Sequence, residues 1–310
     1  MARSPLWLAA AALAALPGAD IITTRAASVP GDFDAAEIMV ADKHTYLVIV
    51  PRDDLAGAAQ QADIAVLREL RLLTEHEKLP FGIPLVKGSG KLSSGERVLV
   101  TTVLRGAPIE PASLVAGPGL AADLGRSIAA IHELPTSFAD RLGLDVYTAD
   151  EYRQRHLAQL DAAAETGLVP PVLLERWESA LDDVSLWRFN PVFVHGDLAP
   201  EFVLASADGQ VASISGWSNA RVADPADDLA WILASAAPEA ADSVLEAYQM
   251  RRTETRDPRL AERAMLLSEL AIARWLHYGV REQDQAVIAD AQVMLADLAA
   301  AVASETELNP

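Results

Sequence analysis

The sequence predicts an α+β fold in two lobes, a small β-rich lobe over residues 1–104 and a larger, mostly helical lobe over 105–310. Three observations predict it. Short apolar runs of strand length, with one helical stretch among them, fill the N-terminal third. Long segments with helical periodicity fill the rest, around one short β insertion. The composition is 51% hydrophobic but only 5% aromatic, and alanine dominates, which suits closely packed helices better than an all-β core.

The elements follow in order. Met1–Leu16 holds one arginine and an apolar run from Leu6 to Leu16. It resembles a weak signal peptide with Ala12-Leu13-Ala14 as a cleavage site. The competing reading is a first helix that caps the small lobe and stops at Pro17-Gly18. We expect the helix and a cytoplasmic protein. Ala36–Val40 and Thr45–Val50, separated by Asp42-Lys43-His44, read as a hairpin. After Pro51, Leu55–Leu73 has helical spacing, with Val66, Leu67, Leu70 and Leu73 as its apolar stripe. Pro80 and Pro84 break that helix; Leu85–Lys87 and Arg97–Val103 read as strands, and Leu104–Pro111 as the crossing between lobes.

Beyond the crossing, Leu120, Leu124, Ile128 and Ile131 recur at i, i+4, i+8 and i+11 of one helix. Thr148 with Glu151 forms a capping box for a helix through Ala164. Val172–Leu181, Ala240–Arg252, Leu260–Tyr278 and Gln285–Val302 are further helices. In the β insertion, Val203–Ala205 and Val211–Ser215 flank Asp208-Gly209, a strong hairpin turn.

Charge and composition exclude several functions. The chain has 44 acidic and 25 basic residues, a net charge of -19, so phosphate-backbone binding is not expected. Such a surface supports solubility and would attract cationic ligands. With no cysteine, disulfides, thiolate catalysis and zinc–thiolate sites are ruled out. Ser4, Ser89, Ser93 and Ser94 lack a G-x-S-x-G context, and Gly88-Ser89-Gly90 is not a dinucleotide fingerprint. The expected partners are a small-molecule ligand or a protein, with no nucleic acid and no membrane.

The most informative stretch is Val192–Ala230. Its frame, His195-Gly196-Asp197-Leu198, then Trp217, then Asp224-Pro225-Ala226 and Asp228-Leu229-Ala230, resembles the catalytic core of the aminoglycoside/macrolide phosphotransferase (choline-kinase-like) family. The resemblance extends from about Asp20 to Gly279. It implies a protein-kinase-like fold and ATP- or GTP-dependent, Mg-assisted phosphorylation of a hydroxyl on a small molecule such as an aminoglycoside or macrolide. By the same resemblance, Asp197 positions or deprotonates the acceptor hydroxyl, and His195 is a structural member of its loop. Asp224 and Asp228 brace that loop. The cofactor-binding positions it implies are Asp63, in the place of an inward helix glutamate, and Thr102 and Val103 at the hinge.

The same frame departs from the family pattern at three positions. The Asn expected five residues after Asp197 is Phe202, the second Asp, before Trp217, is Gly216, and the cation on the strand Tyr46–Pro51 is Ile49. The first two are metal-ligand positions and the third grips phosphates. Arg52 points elsewhere by strand alternation, and Glu201 or Ser215 would face away from the ligand positions. Asp224 is a conceivable replacement ligand. Asp63, with no cation at 49, has no obvious partner, and a helix N-terminal acid is its alternative reading. The insertion hairpin should bring Phe202 and Gly216 together. An uncompensated triphosphate in a cleft is costly, so the expectation is a pseudokinase with no metal and no cofactor. An active enzyme using ATP or GTP with Mg in a rearranged site, and a structural scaffold, are the alternatives. His132 reads as helix-end packing, and His156 and His277 lack metal-ligand spacing. Asp224, Asp227 and Asp228 read as loop braces before they read as a metal cluster.

Overall fold

The computed structural model describes residues 2–74, 79–254 and 256–308. Helix α1 (Pro5–Ala12) starts where the Ser4 hydroxyl accepts the Trp7 N–H and Pro5 occupies the first turn. Strands β1 (Ile21–Ala27), β2 (Phe33–Val40) and β3 (Thr45–Pro51) lead into helix α2 (Asp54–Thr74), and β4 (Val86–Lys91) and β5 (Arg97–Thr102) follow. They form one antiparallel sheet in the order β1-β2-β3-β5-β4.

Alternation along the strands gives this sheet two apolar faces. Ala36, Ile38, Val48, Val50, Val98 and Val100 face Leu8, Ala11, Ala12 and Ala15 of the N-terminal segment. Here the chain comes so close that an added Cβ at Gly88 or Gly90 would lie 2.0 Å from the Ala15 carbonyl oxygen or 2.2 Å from that of Ala14. The two glycines of Gly88-Ser89-Gly90 therefore serve strand-to-chain packing. On the opposite face Ala35, Ile49 and Leu99 stand in register, over α2 and its buried Val66, Leu67 and Leu70.

The second part begins at β6 (Ala107–Pro108), inside the crossing segment, and continues with α3 (Leu120–His132), α4 (Ser137–Leu142), α5 (Ala149–Ala164) and α6 (Pro171–Asp182). Next come β7 (Val192–Val194), β8 (Val203–Ala205), β9 (Val211–Ile214) and β10 (Arg221–Ala223), then α7 (Ala230–Ser235), α8 (Pro238–Arg251), α9 (Leu260–Glu282) and α10 (Gln285–Leu308). The β8–β9 hairpin forms, and β6 adds to it as a third strand, so the crossing segment is stitched to the larger lobe. Strand β10 pairs with β7 and places the segment after Trp217 beside the segment that leads into His195. The Thr148–Glu151 capping box is present in both directions. Helix α10 is long and apolar enough to cross a bilayer by length and composition; it lays buried Ala291, Leu295 and Val302 into the core beside α9. The architecture is the expected α+β arrangement of an antiparallel N-terminal lobe and a helical C-terminal region.

Candidate functional site

The loop that follows β7 is built from its backbone upward. His195 and Gly196 each donate their N–H to Asp228, at 2.8 Å and 2.8 Å, and His132 Nε2 donates to the same carboxylate at 3.1 Å. Burial alone would raise the pKa of Asp228, but the donation from His132 and these backbone donors holds it below the ordinary carboxylate value. Gly196 sits at φ +83°, and a Cβ there would lie 2.3 Å from the Asn219 carbonyl oxygen, so the turn needs glycine. His195 is fully buried against Trp217, ring centroids 4.7 Å apart. Its Nε2 lies 2.8 Å from the Ser215 carbonyl, which can only accept, so Nε2 carries a proton. Burial lowers its pKa and favours the neutral ring.

Asp197 points out of this loop and is exposed. Asn219 Nδ2 donates to it at 3.2 Å. Partial desolvation moves its pKa upward, against the pull of Arg221 and the Asn219 hydrogen bond. The arrangement presents a carboxylate on a rigid turn, suited to hold or receive a hydroxyl proton.

Asp224 is not available as a metal ligand, contrary to the possibility left open by the sequence. It is completely buried and bound by Arg263 at 2.7 and 3.0 Å, and it also accepts the Ala226 N–H at 2.9 Å. Arg263 in turn reaches Asp257 at 2.6 Å and the Leu186 carbonyl at 3.1 Å. Asp227 pairs separately with Arg221, at 2.7 Å, and with Tyr152. The three carboxylates thus face three different partners, and among the described residues no group of three or more His, Cys, Asp or Glu could hold a metal ion.

The structure does bring Phe202 and Gly216 together. Ser215 donates its N–H to the Phe202 carbonyl at 3.0 Å, and a Cβ on Gly216 would lie 2.4 Å from Cδ1 of the Phe202 ring. The aromatic ring therefore fills the space where a side chain at 216 would project. Gly216 itself has φ +84°. Glu201 is exposed, Arg52 donates to Asp34 at 2.9 Å at the far end of β3, and Ile49 lines the sheet between Ala35 and Leu99. A magnesium–nucleotide group does not fit these residues. An apolar ring and a glycine occupy the two positions that the resemblance gives to metal ligands, and an isoleucine the one it gives to the phosphate-gripping cation.

Asp63 corrects one expectation. It lies in the middle of α2, not at its N-terminus, and it has a partner: its Oδ1 accepts the Trp217 N–H at 2.8 Å. Burial pushes its pKa up to about 6 against that single hydrogen bond. The bond ties α2 to the turn that begins at Gly216. Thr102 ends β5, where its hydroxyl accepts the Leu85 N–H at 3.0 Å, and Val103 lies between β5 and the crossing segment. His132 is packed at the end of α3 between Asp228 and Tyr248, whose hydroxyl lies 2.8 Å from Nδ1. Sequence reasoning missed Arg221 and Tyr152, which meet beside the loop from β10 and α5. No spacing signal links them.

The family model described as "Phosphotransferase enzyme family" matches residues 25–266. Uncharacterized protein YcbJ of Bacillus subtilis (strain 168) is 32% identical over 102 residues, a match that spans 33% of this chain and 33% of that relative. Among solved structures, macrolide 2'-phosphotransferase MphH from Brachybacterium faecium is 23% identical, with a TM-score of 0.77 over 94% of this chain and 96% of that one. The GDP complex of aminoglycoside 2'-phosphotransferase-IIIa is 18% identical, with a TM-score of 0.78 over 96% and 99%. At such identities these likenesses establish the fold. The match over residues 25–266 takes in most of the antiparallel sheet and the braced loop, and this chain belongs to the phosphotransferase enzyme family.

Proposed function

We propose that this chain is a phosphotransferase-family protein that binds a small molecule in its cleft and has given up magnesium–nucleotide catalysis. The observation that carries the reading is the Phe202 ring packed against Gly216, which removes both metal-ligand positions at once. Two further features support it. The sheet above the cleft offers Ala35, Ile49 and Leu99 where phosphates would need a cation. The inward acid Asp63 is engaged by the Trp217 N–H. A triphosphate entering this cleft would meet two carboxylates, Asp63 and Asp197, and no countercharge at those positions, which is strongly unfavourable at low dielectric.

A second reading has one observation in its favour: Asp197 is exposed on a fully braced loop, as a turnover-competent acid would be. Under that reading the protein phosphorylates a hydroxyl with ATP or GTP through a rearranged site. A thermal-shift titration with ATP and GTP, each with and without Mg²⁺, separates the two, coupled to a turnover assay with aminoglycoside and macrolide acceptors. We expect no Mg-dependent shift and no phosphorylated product. Mg-dependent turnover that disappears in Asp197→Ala would overturn the proposal.

A further inference from the structure

The larger lobe holds a cavity of about 220 Å³ at the start of β7, the end of that strand opposite to His195. Arg188 and Phe189 ahead of β7, Tyr248 in the last turn of α8, Arg252 just past it, and Arg256 and Asp257 ahead of α9 form much of its wall. The strand Val192–Val194, about 10 Å of extended chain, separates the cavity from the loop that carries Asp197. Two of the wall residues are the outer ends of the contacts that brace that loop. The Tyr248 hydroxyl lies 2.8 Å from His132 Nδ1, and His132 holds Asp228. Asp257 accepts from Arg263 at 2.6 Å, and Arg263 holds Asp224. The cavity therefore sits behind the braces, away from Asp197.

Five charged side chains line it, Arg188, Arg252 and Arg256 with Glu254 and Asp257. Both acids are engaged: Glu254 pairs with Arg252 at 3.2 Å and Asp257 with Arg263 at 2.6 Å. The acids behind the wall are engaged as well. Glu133 takes Arg252 at 2.9 Å, Asp224 takes Arg263, and Asp228 takes His132 and two backbone N–H groups. Beside the wall, Arg259 holds Asp183 and Glu262. Arg188 and Arg256 are both exposed and make no hydrogen bond or ion pair among the described residues. What the cavity offers is thus not a surplus of charge but two guanidinium groups with unassigned donors, beside the buried rings of Phe189 and Tyr248.

We propose that this cavity is a binding site for a small oxyanion, a carboxylate or phosphate, held by Arg188 and Arg256. A planar guanidinium group presents paired N–H donors that match two oxygens of either anion. The volume lies below the roughly 300–1,000 Å³ of sites for drug-sized ligands, so the occupant is small. The site is separate from the cleft and stands whether or not the chain turns nucleotide over.

The test uses the whole chain, inorganic phosphate and succinate as probes, and chloride to hold ionic strength constant. Either probe, or both, should raise the Tm by a few degrees when well above its dissociation constant. The responding probe assigns the anion as phosphate or carboxylate. Arg188→Gln and Arg256→Gln each remove an exposed, unpaired group, so both should keep the ligand-free Tm of the wild type. Each should weaken the response several-fold, and together they should abolish it. Lys91→Gln, an exposed position of the small lobe, should leave the response intact, and so should Asp197→Ala. No response to either probe, or an equal response in the double arginine variant, overturns the site. A response that changes in Asp197→Ala and not in the arginine variants puts the anion in the cleft and overturns it too.

Discussion

The carboxylate floor beneath the loop and the apolar wall at Ile49, Phe202 and Gly216 are built on opposite principles. On the floor, Asp228 collects three donors and Asp224 is gripped by Arg263 through two hydrogen bonds, so every buried charge there has its answer. On the wall, Ile49, Phe202 and Gly216 stand where oxygen and nitrogen ligands are expected, and the one remaining acid, Asp63, has a single backbone donor. The difference separates two jobs that a phosphotransferase site combines. Carboxylates that hold a loop together are part of the fold and cannot be removed without leaving buried donors unpaired. On the reading proposed above, the apolar wall carries no such bracing duty.

That contrast can be broken or sharpened in three steps. The largest effect belongs to Asp228→Ala, which orphans the His195 and Gly196 N–H groups and His132. We expect a loss of about 3–5 kcal/mol, read from urea denaturation. A loss below about 1 kcal/mol would mean that the floor is not the structural element described.

Asp63→Asn comes next and should stabilise. The carboxyl's pKa rises from 3.8 to about 6 on folding, so the folded state binds the proton more tightly. The stability this contributes is fully present below about pH 4 and is lost as pH rises from about 4 to about 6. The amide cannot ionise and still accepts the Trp217 N–H. Denaturation of Asp63→Asn across pH 4–8 should therefore lack that slope and show a gain approaching ~3 kcal/mol at neutral pH. An unchanged slope would show that Asp63 is not the group under strain.

The smallest effect is a coupling. Gly216→Ala alone should cost about 1–3 kcal/mol, from the Phe202 ring and the positive φ together. In a Phe202→Ala background the steric share should vanish, giving a coupling energy of about 1 kcal/mol in a double-mutant cycle. Strict additivity would mean that ring and glycine do not occupy each other's space.

Much of this was legible in the sequence where local chemistry decides the outcome. The Thr148–Glu151 box, the Asp208-Gly209 turn and the stripe of Val66, Leu67 and Leu70 all appear as written. The approach of Phe202 to Gly216 followed from the hairpin between them. Strand β1 was missed because both of its faces are largely exposed, so Ile21–Ala27 shows no apolar alternation to read. The short α4, α7, β7 and β10 are fixed by tertiary packing and leave no periodic signal. The partner of Asp63 was missed because it is a backbone N–H, which no residue identity announces. Arg221 and Tyr152 come from two elements far apart in sequence, and only the fold brings them together.

The seating of Ala14 and Ala15 on Gly88 and Gly90 also bears on how the chain is made. The first helix leaves the ribosome before the strand it must lie on. Its apolar side has nowhere to go until β2, β3, α2, β4 and β5 have followed. The small lobe is consequently closed out of order: the segment at its start cannot take its full seat until Gly88 and Gly90 have been made.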